Sequence, residues 1–176
     1  TELDYDGTFS NPVGSEASAR TIADGKSISS IKCITGSTFT LDQSYDSFMF
    51  SGINHTIALN GQSFNRGSVF QGIVTGNDDG SNPNFASFDG ALVGPNTLGQ
   101  HALLNCFIGG TITFAEAGVY IWTNCVESAT GAAGIDFGAL LNASTVYISH
   151  QQNRLEVQNM GQGTGAYSPK PDIFRE

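Results

Sequence analysis

The sequence predicts an all-β fold: a single-stranded, right-handed parallel β-helix of roughly six or seven short coils, entered through one short capping helix. Three observations predict it. From Ile31 onward the apolar stretches are brief, rich in Ile, Val, Thr and Phe, and bounded by Gly, Asn or Ser. Nothing between them is long enough to form the crossover helices that join strands in ordinary parallel sheets. The pattern also repeats. Setting KCI, SGI, QGI, DGA, NCF and NCV over one another puts a small residue at Cys33, Gly52, Gly72, Gly90, Cys106 and Cys125, in steps of 16 to 20 residues.

The elements follow in order. Residues 1–30 form an arm and a helix: Gly7, Pro12 and Gly14 break the start, then Ser15 stands as N-cap before Glu16 and Ala17, with Gly25 past the end. Such a helix, just ahead of the first coil, is placed to blunt the open end of a solenoid. Residues 31–160 hold the coils. The small residues form a stack where each coil turns tightly inward, and Phe50, Phe70, Phe88 and Leu104, two places earlier, are expected to form an inward ladder. Cys106 and Cys125 become neighbours in the core and read as inert small hydrophobes, with a disulfide by proximity as the alternative. Residues 161–176, within GQGTGAYSPKPDIFRE, are expected to leave the stack as an extended tail, because Pro and Gly interrupt a ladder.

Composition narrows the function. The chain has 176 residues, 22 of them Gly, with 13% charged residues and a net charge of −9 from 16 acids and 7 bases. One domain is expected. So few bases leave no footprint for nucleic acid and no polybasic patch for a membrane surface. No apolar run approaches a bilayer-spanning length, and TELDYDGTFS carries no signal-peptide pattern. The three Cys show neither a CxxC pair nor a disulfide framework.

The succession SEASARTIADGKSI, ITGSTFTL, SGINHTIALNGQSF, SVFQGIVTG, HALLNCFIGGTITF, VYIWTNCVES, IDFG and TVYISHQQNRLEVQNM, over residues 15–160, resembles small pectin-lyase-like right-handed β-helix domains of tailed-bacteriophage virion proteins. The resemblance implies a tail, baseplate, fibre or spike component, commonly a homotrimer partnered by other virion proteins. It would be assembled in the bacterial cytoplasm and extracellular when mature, with host-surface polysaccharide as a further contact. It carries over no catalytic residue.

The residues themselves supply no catalytic, cofactor or metal set. A glycosidase needs two carboxylates about 5 to 9 Å apart, but the aligned neighbours of Asp89 are Gln71 and Asn105. Asp78 and Asp79 read as a solvated turn with Ca²⁺ binding as the alternative, and Asp136 as a turn acid. Lys32 and Arg66 lack the acid cluster a polysaccharide lyase needs. His55, His101 and His150 have no ligand spacing and read as single polar residues. The sequons at Asn54 and Asn142 are taken as chance matches. Tyr120 and Trp122 share one face, which is either core or a surface or trimer-contact patch; Tyr45, Phe48 and Tyr147 are further aromatics able to stack on sugars. The expected function is therefore a non-enzymatic virion structural protein. The alternatives are a polysaccharide-degrading tailspike-type enzyme and a secreted bacterial adhesin or carbohydrate-binding module.

Overall fold

The computed structural model describes residues 7, 8, 10–137, 144–149, 155–159 and 172–175. Apart from one helix, the chain winds as a parallel β-solenoid of about six turns. Three sheets run its length. The first has eight strands: Ser30–Lys32, Met49–Ser51, Ser68–Phe70, Ala86–Asp89, His101–Leu104, Val119–Thr123, Thr145–Ser149 and Asp172–Arg175. The second has six: Thr38–Thr40, Thr56–Ala58, Ile73–Thr75, Leu92–Val93, Phe107–Ile108 and Val126–Glu127. The third has four, beginning later: Asn96–Leu98, Thr111–Phe114, Gly134–Asp136 and Glu156–Gln158. Strands of two to five residues suffice because each inner strand is held on both flanks by the coil above and below.

The core is a set of axial ladders. In the first sheet Ile31, Phe50, Val69, Phe88, Leu103, Trp122 and Ile148 stand in register, all but the first buried. In the second, Ile57, Val74, Val93 and Ile108 do the same. The expected inward ladder of Phe50, Phe70, Phe88 and Leu104 is therefore half right. Phe70 pairs with Asp89 and Leu104 with Thr123, one place further along, where side chains point outward.

The small-residue stack needs the same correction, and the cause is local. The equivalent bend positions are Cys33, Gly52, Gln71, Gly90, Asn105 and Asn124, in steps of 19, 19, 19, 15 and 19 residues. Gln71, Gly90, Asn105 and Asn124 have φ between 53° and 62°, a left-handed conformation that Asn tolerates nearly as Gly does. Where Gln or Asn takes the bend, the small residue sits one step later. Gly72, Cys106 and Cys125 thus belong to a neighbouring inward column shared with His55 and Ala91. The Asn residues also stitch the corner: Asn105 Nδ2 donates to Asp89 Oδ1 and Asn124 Nδ2 to Asn105 Oδ1, both at 2.9 Å.

The helix spans Glu16–Lys26. Ser15 is its N-cap, accepting from Ser18 N at 3.2 Å, as the sequence indicates. Its end differs: the chain passes through Gly25 and stops at Ser27, which adopts φ 54° while the following amide, Ile28 N, bonds to Ala23 O. The helix covers the first coil. Glu16 Oε1 accepts from Thr40 N at 3.2 Å, satisfying an edge amide that has no strand beneath it. Arg20 lies over the rings of Tyr45 and Phe48 and donates to Ser44 O. Tyr45 and Phe48 are consequently buried under the cap rather than presented to ligands.

The late start of the third sheet leaves a second edge, and asparagines close it. Asn77 Oδ1 accepts from Thr97 N at 2.6 Å, and buried Asn96 bonds Gly94 N and Gly76 O. At the far end, Asp172–Arg175 pairs in parallel with Thr145–Ile148. The expectation that the last segment cannot rejoin the stack is overturned here. Its two Pro precede the strand, and a Pro immediately before a strand removes no ladder donor from it.

Candidate functional site

The sequence-selected aromatics lie inside. Alternation along Val119–Thr123 sends Tyr120 and Trp122 to one face, and that face is the core: both are 0% exposed. The surface-patch reading is thereby corrected. The physical reason is the ladder, since Trp122 continues the row of Phe88 and Leu103, while Tyr120 stacks on Phe114 with centroids 3.7 Å apart. Its hydroxyl donates to Glu116 O.

Beside them is a polar cluster that the sequence did not reveal. His101 is fully buried, its Nδ1 bonded to Gly99 O at 2.9 Å and its Nε2 accepting from Trp122 Nε1 at 3.1 Å. These partners fix a neutral imidazole, and desolvation lowers its pKa to about 4. Gly99 N in turn donates to Asp78, whose carboxylate also accepts from Gly80 N at 2.8 Å and Asn82 Nδ2 at 2.5 Å. Asp78 is buried, not solvated, and burial raises its pKa. Glu116 Oε1 accepts from Asn82 N and Gln100 N. Both carboxylates thus hold backbone amides of one solenoid corner, an anchoring role. Asp79 stays exposed and accepts from Ser81 N.

Other singled-out residues are dispersed. His55 is also buried; neither ring nitrogen finds a partner of good hydrogen-bond geometry, and desolvation lowers its pKa, partly offset by the Gly52 backbone. Its ring fills the space that Gly72 leaves, where a Cβ would lie 2.7 Å from Nε2. Asp89 is tied to Asn105, Asp136 to Asn159, and Arg66 to Asn84. His150 and Asn142 lie outside the described residues. Among the described residues no group of three His, Cys, Asp or Glu side chains is placed to hold a metal ion.

The surface carries the more informative pattern. Outward along the second sheet the register column reads Thr38, Thr56, Ile73, Leu92, Phe107, Val126. Its last four members form an apolar stripe about 14 Å long that follows Thr38 and Thr56. Phe107 is 50% exposed and Ile73 38%. Phe70 is exposed at the adjoining corner, on the same coil as Ile73, and Ile53 projects one coil earlier at 64%. On the first sheet the outward column runs Ser30, Met49, Ser68, Ser87, Ala102, Ile121, Tyr147, with Met49 exposed among the early polar members and the last three positions apolar.

Compared with known protein families, with curated proteins and with solved structures, the chain matches none. The solenoid assignment accordingly rests on strand register.

Proposed function

We propose that the chain is a non-enzymatic structural component of a tailed-phage virion, in a tail, baseplate, fibre or spike, working as a rigid rod that packs against copies of itself as a homotrimer. The observation that carries this reading is the axial stripe of Ile73, Leu92, Phe107 and Val126. A line of apolar side chains parallel to the rod axis suits lateral packing of equivalent rods about a symmetry axis. Asp78, Asp89 and Asp136 support it too, since each is engaged in a structural hydrogen bond rather than aimed at a cleft. Light scattering behind size-exclusion chromatography, followed by electron microscopy of the assembled particle, tests the reading. A trimer located in the particle supports it; a strict monomer that binds no virion protein overturns it.

Exposed Tyr147 on the first sheet favours a second element of the same reading, contact with host-surface polysaccharide. Incubation with host capsule or lipopolysaccharide separates the alternatives. Binding without cleavage fits contact, whereas new reducing ends or unsaturated products would establish an enzyme.

A further inference from the structure

We propose that Cys106 and Cys125 are an oxidisable dithiol, which a peroxide closes into a disulfide tying two successive coils together. The two residues face each other across one ladder step. Leu104 pairs with Thr123 before them and Phe107 with Val126 after them, while Val126 N donates to Cys106 O at 3.0 Å. Paired residues at that spacing, about 4.8 Å, fall within the Cα separation a disulfide bridges. Both side chains are buried on the inward face, where Cys106 Sγ lies 3.1 Å from Phe88 O and Cys125 Sγ 3.6 Å from Leu103 O. Cys33 serves as an internal contrast, because it stands opposite Gly52 rather than another Cys.

The pair is asymmetric. The neighbouring Cys106 lowers the Cys125 pKa, while Cys106 is raised by Cys125 and by burial. Cys125 is thus the sulfur that reacts first. Its thiolate attacks one peroxide oxygen, the O–O bond breaks, and hydroxide leaves with a Cys125 sulfenic acid formed. The Cys106 sulfur then attacks the Cys125 sulfur, expelling the second oxygen as water once protonated. Two thiols and one hydrogen peroxide give one disulfide and two waters. Among the described residues Val126–Glu127 is the last strand of its sheet and pairs only with Phe107–Ile108. Local opening costs least at such an end, and hydrogen peroxide is scarcely larger than water.

The test treats the folded chain with hydrogen peroxide, removes excess with catalase, then alkylates in denaturant. Free thiols are expected to fall from three to one, reversibly with a phosphine reductant. The tryptic peptide covering residues 67–154, which holds both cysteines and not Cys33, should carry no alkyl group and lie about 2 Da below its dithiol mass. Cys125→Ser should abolish that loss. Oxidation in urea controls for the fold, and there links to Cys33 should compete. Three thiols still reactive after peroxide, a link to Cys33 or between chains from the folded state, or an equal pair yield in urea would each overturn the proposal.

Discussion

Trp122 Nε1 donates to His101 Nε2 at 3.1 Å across adjacent coils, and this bond makes the imidazole an acceptor. The ring is neutral when folded, with a pKa near 4, while an unfolded chain takes up the proton near 6.5. The unfolded state therefore binds more protons between these values, and stability falls as pH drops from about 6.5 to about 4, by about 3 kcal/mol in full. His55, also lowered by burial, adds to the fall. Asp78 runs the other way: its raised pKa lets the folded state hold a proton more tightly, returning stability at the acid end. Urea midpoints should decline from pH 7 to pH 5, and His101→Gln should flatten that slope. An unchanged slope would show that His101 does not set it.

Trp122 is the sole tryptophan, so its emission reports directly on the core. It should be blue-shifted and resist acrylamide quenching. Trp122→Phe removes the donor and leaves both a void and an unpaired His101 nitrogen, with an expected loss of about 2–4 kcal/mol in chemical denaturation. Red-shifted, readily quenched emission from the native protein would return this residue to the surface.

Much of the architecture was legible because the solenoid writes its period into the chain. Short β-branched runs, the Ser15 cap and a recurring tight position are all local signals. The register was not, and Gln71, Asn105 and Asn124 show why. An alignment by size treats Gly and Cys as equivalent, whereas the backbone groups residues by φ, and Asn joins Gly at a left-handed bend. One misplaced residue exchanges inside for outside, as Phe70 and Leu104 demonstrate. Ile73, Phe107 and Val126 of the outer stripe follow the small residues in QGI, NCF and NCV, but the same alignment puts Ala91 where the register puts Leu92. The cluster of His101 and Asp78 left no trace in the sequence, since it is joined through the Gly99 backbone and through Trp122, 21 residues from His101.

The pairing of His55 with Gly72 is a packing prediction. A Cβ at position 72 would lie 2.7 Å from His55 Nε2 and 3.0 Å from Val69 Cγ1. Gly72→Ala should therefore destabilise by about 1–3 kcal/mol. His55→Ala opens the space, so the double variant should lose less than the two single losses combined. Strict additivity in urea denaturation would show that the ring does not occupy that space.

The outer stripe predicts a separation of association from stability. Phe107 is half exposed, so Phe107→Ser should change stability by less than about 1 kcal/mol. In a lateral assembly the same side chain is enclosed by a neighbouring rod, where its loss costs far more. Sedimentation velocity over a concentration series should show the variant dissociating at least tenfold more readily, with thermal unfolding of the single chain nearly unchanged. Ser68→Asp, on the polar part of the first sheet, serves as the control and should leave association intact. Should both substitutions weaken assembly alike, the contact would follow general surface charge and not the stripe of Ile73, Leu92, Phe107 and Val126.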